Sequence, residues 1–116
     1  MRELDTDTFD GAIAAGPVLV DFWAPWCRPC RALEPILAAI ESEKVVPVTR
    51  LNIDEFPELA ARYDVLSIPT VMLFSGGEAR SSLVGVRPRS HFDEWLAKVL
   101  PAAEGEGLPV QGQPDA

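Results

Sequence analysis

The sequence predicts an α/β domain built on a mixed β-sheet flanked by helices on both faces. Three observations predict it. Strand-like apolar runs alternate along the chain with segments whose apolar residues recur at helical spacing. The run Val18–Trp23 is almost continuously apolar, broken only by Asp21, which is the pattern of a central strand covered on both sides. Gly76-Gly77 then separates two later runs as a tight turn does, which sets an antiparallel hairpin against the alternating first half.

The elements follow in order. Asp5, Thr6, Asp7 and Thr8 offer capping oxygens to a short helix carrying Phe9, Ala12 and Ile13, and Gly16-Pro17 stops it. Val18–Trp23 is the first strand, with Asp21 as its anomaly. From Cys30 a helix carries Leu33, Ile36, Leu37 and Ile40, and Pro35 kinks it. Val45–Ile53 reads as a second strand. Asp54 to Pro57 open a short helix through Leu59, Ala60, Ala61 and Tyr63, with Pro57 suited to its first turn. Pro69 precedes the strand Thr70–Phe74, and the hairpin returns along Arg80–Val86. Ser90 and Asp93 start a last helix with Phe92, Trp95, Leu96, Val99 and Leu100 on its buried stripe, and Pro101 ends it. Residues 1–101 thus form one domain. Residues 102–116, rich in Gly, Pro and acid and without periodicity, are expected as a flexible C-terminal tail.

A chain of 116 residues can bury a core without metal or disulfide support. Its formal charge of −8, with Lys and Arg scattered rather than striped, argues against nucleic acid and anionic membranes as partners. No apolar run is long enough to cross a bilayer, and the charged start Met1-Arg2-Glu3-Leu4-Asp5 leads into no apolar signal core. Cytoplasmic localisation is the expectation.

Cys27 and Cys30 are the only cysteines, and the first strand delivers them to the start of a helix. Unpaired backbone N–H groups and the positive end of the helix dipole favour thiolate there. A structural bridge across so short a loop removes little entropy from the unfolded chain, so a staple is a poor explanation. A zinc site needs four ligands, and two cysteines with one distant histidine, His91, do not complete one; haem attachment needs a histidine directly after Cys30, where Arg31 stands. What remains is a dithiol that cycles with its disulfide, Cys27 attacking a substrate disulfide and Cys30 resolving the intermediate, with no further cofactor. Asp21, desolvated in its strand, is suited to accept the Cys30 proton; the competing reading is a local cap or an ion pair with Arg50.

The run Asp21-Phe22-Trp23-Ala24-Pro25-Trp26-Cys27-Arg28-Pro29-Cys30 closely resembles the active-site segment of the thioredoxin family. The resemblance extends over roughly residues 5–100 and includes Pro35, Leu51-Asn52-Ile53-Asp54, Ile68-Pro69-Thr70 and Gly85. It implies a thioredoxin-like sheet of four or five strands and a monomeric reductase of protein disulfides, recharged by a flavin-containing, NADPH-dependent thioredoxin reductase. It implies that Pro69 is a cis-proline facing the cysteines, and that Ile68 offers its backbone to an extended substrate segment. Trp26, Pro29, Ile53, Ile68, Val84, Gly85 and Val86 match the family's substrate-binding surface around the thiols. Three positions depart from the family pattern. Arg28 replaces a glycine between the cysteines, Ser67 replaces a common glycine and narrows or polarises the surface, and Arg50 replaces a lysine, a permanent cation expected to hold Asp21 more acidic. Trp23, Trp95, Phe22 and Phe74 are assigned to packing, and His91 to an exposed, non-catalytic position. Two rivals share the surface: a chaperone-like binding module with incidental redox activity, and a disulfide oxidase or isomerase.

Overall fold

The computed structural model describes residues 1–104, with side chains as far as Pro101. The elements are β1 (Arg2–Glu3), α1 (Phe9–Ala14), β2 (Val18–Trp23), α2 (Arg28–Ser42), β3 (Val48–Asn52), α3 (Pro57–Arg62), β4 (Thr70–Ser75), β5 (Glu78–Val84) and α4 (Arg89–Glu104). The sheet runs β1-β3-β2-β4-β5. β1 and β2 lie parallel to β3, whereas β4 is antiparallel to both β2 and β5, so the sheet is mixed.

Strand pleating sorts the core into two layers. Val18, Val20 and Phe22 of β2 face one way with Leu51, Met72 and Phe74, and pack against Phe9 and Ile13 of α1 and Leu59 of α3. Leu19 of β2 faces the other way with Val48, Val71 and Leu73, and packs against Leu33, Leu37 and Ile40 of α2 and Phe92 and Leu96 of α4. Asp21 has the parity of Leu19. A carboxylate is thereby placed beneath α2, in the middle of the sheet.

Four features differ from the sequence reading. β1 carries only Arg and Glu and has no apolar pattern; backbone pairing of Arg2 with Thr49 and Glu3 with Arg50 makes it a short, charged edge strand. The capping oxygens expected ahead of α1 are, by contrast, in use through a reciprocal pair, with Asp5 N donating to Thr8 Oγ1 and Thr8 N to Asp5 Oδ1, each at 2.9 Å. α2 begins at Arg28, before Cys30, with Cys27 as its N-cap.

α4 does not stop at Pro101 but continues to Glu104, so the helix end expected at Pro101 is corrected. Proline's φ is itself helical; what it forfeits is the bond to the carbonyl of Ala97, an exposed residue whose carbonyl water can serve. The expected tail from 105 to 116 lies outside the described residues. The starting cap assigned to Ser90 and Asp93 is also displaced, because both lie inside α4, where Asp93 Oδ1 accepts from Arg89 Nε at 2.8 Å.

Candidate active site

β2 ends at Trp23, and the turn through Ala24, Pro25 and Trp26 brings Cys27 to the N-cap of α2. Cys27 N donates to Ala24 O at 3.1 Å, and Cys27 Sγ accepts from Cys30 N at 3.2 Å. Cys27 and Cys30 form a disulfide. The helix turn that carries them also carries Pro29, which has no N–H to leave unpaired. Sulfur therefore sits among the free N–H groups of the helix end, where negative charge is stabilised.

Neither cysteine is exposed at the helix start. Cys27 is only 3% exposed and Cys30 1%, with Ala24, Trp23, Ile53 and Ile68 packed around them. The two differ in what they face. Cys27 lines a groove of about 550 Å³, together with Trp26, Arg28, Pro29, Ile53 and Ile68, and Cys30 does not. Val65, Leu66 and Ser67 complete the groove wall. Trp26 is 66% exposed over it, with its Nε1 held by Asp54 Oδ1 at 3.2 Å.

Sequence reasoning missed Val65 and Leu66. Leu66 is 94% exposed, an apolar side chain in the connection between α3 and β4 that belongs to no helical or strand period. That mismatch was its only available signal.

The Ile68–Pro69 peptide is cis. Pro69 O accepts from Gly85 N at 2.8 Å, which ties the end of β5 to the cysteine loop's neighbour. Gly85 has φ +89, a region where a side chain is strained, so glycine is needed at this corner. Val84 and Val86 on either side are each 44% exposed, but neither they, Pro69 nor Gly85 lines the groove itself.

Asp21 is fully buried, and neither carboxyl oxygen has a hydrogen bond. Arg50 stands opposite it in register on β3, with Nε 3.6 Å from Asp21 Oδ2, close enough to pair in charge but too far to hydrogen-bond. Desolvation pushes the Asp21 carboxyl up from the ordinary 3.8 to about 7, against the opposing pull of Arg50; Glu34 and Glu3 add to the rise. Arg50 does draw this acid down, as its charge requires, but burial outweighs the draw. Its guanidinium is spent elsewhere, with Nη2 on Glu34 Oε2 at 2.7 Å and Nη1 near Glu3 Oε2 at 3.3 Å. Trp23, assigned to packing alone, also takes part: Arg50 lies over its ring at 4.0 Å, and its Nε1 donates to Glu3 Oε1 at 3.3 Å.

Phe22 and Phe74 are core residues with no exposure, and Trp95 is partly buried with its Nε1 on Ser81 Oγ at 2.9 Å. His91 is exposed. Among the described residues no group of three or more His, Cys, Asp or Glu side chains is arranged to hold a metal ion, and no helix is long and apolar enough to cross a membrane.

A mixed sheet flanked by helices, with a Cys-x-x-Cys disulfide at the helix N-terminus following its central strand, defines a thiol-disulfide oxidoreductase that works on protein disulfides. The model of the thioredoxin family matches residues 1–98. A thioredoxin of Rickettsia bellii is 50% identical over 82 residues, covering 69% of this chain and 78% of that protein. A thioredoxin of Streptomyces clavuligerus is 43% identical over 93 residues, covering 78% and 87%, and the chloroplastic thioredoxin M2 of Arabidopsis thaliana is 38% identical over 105 residues, covering 87% and 56%. The chain belongs to the thioredoxin family. This membership favours a redox enzyme over a pure binding module.

Proposed function

We propose that the chain is a thioredoxin-type reductase in which Cys27 attacks and Cys30 resolves, with Asp21 as proton acceptor. The Cys27 thiolate attacks one sulfur of a substrate disulfide, forms a mixed disulfide and releases the first substrate thiolate. Cys30 then gives its proton to Asp21 and attacks Cys27 Sγ, releasing the second substrate thiolate and closing the Cys27–Cys30 bond. The substrate gains two electrons and the protein's dithiol loses them. The observation that carries this order is that, of the two sulfur residues, Cys27 alone lines the open groove. Trp26, Arg28, Pro29 and Ile68 would seat the substrate segment there, with Pro69 and Gly85 shaping the neighbouring corner.

The dithiol is the only redox group this chemistry needs. The reading makes the chain a monomeric, cytoplasmic electron carrier, reduced by an NADPH-dependent thioredoxin reductase and oxidised by disulfide-bearing proteins. The test is turnover of a protein disulfide in the presence of NADPH and such a reductase, before and after limited iodoacetamide treatment of the reduced protein. Mapping should find the label on Cys27, and turnover should disappear with it. Labelling of Cys30 first would reverse the order, and unimpaired function after Cys27 alkylation would favour the binding module.

Arg28 gives a separate expectation. It is exposed beside Cys27 at the first position of α2, and no ion pair engages it among the described residues. A fixed cation there stabilises the Cys27 thiolate, and so the reduced form, making the couple a weaker reductant. Solvent screening limits such a charge to about 1 kcal/mol or less, so Arg28→Gly should move the potential by about 10 to 25 mV toward more negative values. Equilibration with glutathione at low and high salt measures this. A shift of the opposite sign, or none, defeats the charge argument.

A further inference from the structure

Arg50 is a guanidinium beside a buried, unbonded carboxylate, yet it makes no hydrogen bond to it. This is unusual, because arginine's planar fork pairs readily with a carboxylate through two parallel N–H bonds, and a side-on pair would use Nε and Nη2 together. The reason lies on α2. Glu34 takes Nη2 at 2.7 Å and draws the Nε–Nη2 edge away from Asp21, and Nε is left without a hydrogen-bond partner. Glu3 of β1 draws Nη1, and the Trp23 ring lies against the guanidinium face at 4.0 Å, which fixes its plane.

We propose that Glu34 is a positioning residue whose carboxylate holds the Arg50 guanidinium off Asp21, leaving the Asp21 oxygens unbonded and free to take up a proton. The groups facing Asp21 are Arg50 from β3, Glu34 from α2 and Glu3 from β1; from β4 the register partner is Val71, which carries no charge. Glu34 acts in two ways. Its charge disfavours ionisation of Asp21, and its hydrogen bond restrains the cation that would favour ionisation. The second effect is the positioning role, and it has its own signature. Gln at this position keeps an acceptor for Nη2 but removes the charge, whereas Ala removes both and frees the fork to swing onto Asp21.

The chemical consequence rests on the Proposed function, in which Asp21 accepts the Cys30 proton. A carboxylate clamped by two arginine N–H bonds is a poorer base than one left bare. Glu34 would therefore set the pH range over which the second step of disulfide exchange runs, without touching sulfur or substrate.

The experiment titrates the Asp21 side-chain carboxyl by carbon NMR in the oxidised full chain, for the wild type, Glu34→Gln and Glu34→Ala. The Glu34 side chain is 37% exposed on a helix that tolerates both substitutions, and thermal melts check that each variant folds. Relative to wild type, Glu34→Ala should lower the titration midpoint by about 1 pH unit or more, and Glu34→Gln by clearly less. An unmoved midpoint in Glu34→Ala overturns the proposal. Equal falls in the two variants also overturn it, because charge alone then accounts for the effect. The pH profile of mixed-disulfide resolution by reduced protein is measured alongside. If the carboxyl midpoint moves as expected and the resolution profile does not, the positioning role stands and Asp21 as proton acceptor falls.

Discussion

Cys27→Ser should reduce turnover of protein disulfides to the uncatalysed background, and Cys30→Ser should instead trap a mixed disulfide with substrate. The first variant lacks the sulfur that lines the groove, and a serine hydroxyl at neutral pH is not ionised and does not attack disulfides. In the second, attack survives and the mixed disulfide has no neighbouring thiolate to resolve it. Non-reducing electrophoresis after mixing reduced variant with a disulfide-bearing protein separates the two outcomes. Accumulation of the adduct in Cys27→Ser rather than Cys30→Ser would overturn the assigned roles.

Asp21→Asn should stabilise the protein, by an amount that grows with pH. The folded Asp21 carboxyl titrates near 7, raised from the ordinary 3.8, so the unfolded chain loses this proton more easily than the folded one. Below about pH 4 the group is protonated in both states and costs nothing. Between about 4 and 7 the penalty of holding the charge inside accumulates, and above 7 it is complete. At ~1.4 kcal/mol per pH unit, a rise of about three units amounts to about 4 kcal/mol. Asn keeps the shape without the charge, and its amide is no better bonded than a protonated carboxyl, so the net gain at pH 8 should be about 2 to 4 kcal/mol. It should shrink by more than half at pH 5. Urea unfolding of both proteins at the two pH values measures it. A gain that does not depend on pH would mean that Asp21 is not held as a raised acid.

The same substitution should slow resolution of the mixed disulfide while leaving the initial attack nearly intact, since Asn cannot accept a proton. Burst kinetics with reduced protein resolve the two steps. Stability gained and catalysis lost at one residue is the expected pattern where a buried charge is retained for chemistry.

Much of this architecture was legible before the structure. Val18–Trp23 reads as a central strand because both faces are apolar, and the structure buries it on both faces as that pattern requires. Cys27 and Cys30 were legible as a redox pair because no other ligand in the chain could turn them into a metal or haem site. Asp21 announced itself as a lone acid in an apolar run. Helix ends were less legible. Pro101 was read as a stop, but a proline near a helix end forfeits a single bond whose carbonyl water can satisfy, so local chemistry does not force termination.

What the sequence by itself determined is local: the periods of strand and helix, the Cys-x-x-Cys spacing at a helix start, and the presence of an acid where an apolar residue was due. Only the tertiary structure decided which distant groups meet. β1 exists because Arg2 and Glu3 find a partner backbone in β3, not because their side chains favour a strand. Arg50 was expected to hold Asp21 acidic, and it does pull the carboxyl down, but burial outweighs that pull, and Glu34 from α2 and Glu3 from β1 add to the rise. Leu66 joins the groove only because the connection before the cis-proline is folded against the Cys27 turn. The physical reason is common to all three. Hydrophobic periodicity is written in neighbouring residues, whereas hydrogen bonds, ion pairs and desolvation depend on atoms brought within a few ångströms by chain segments far apart in sequence.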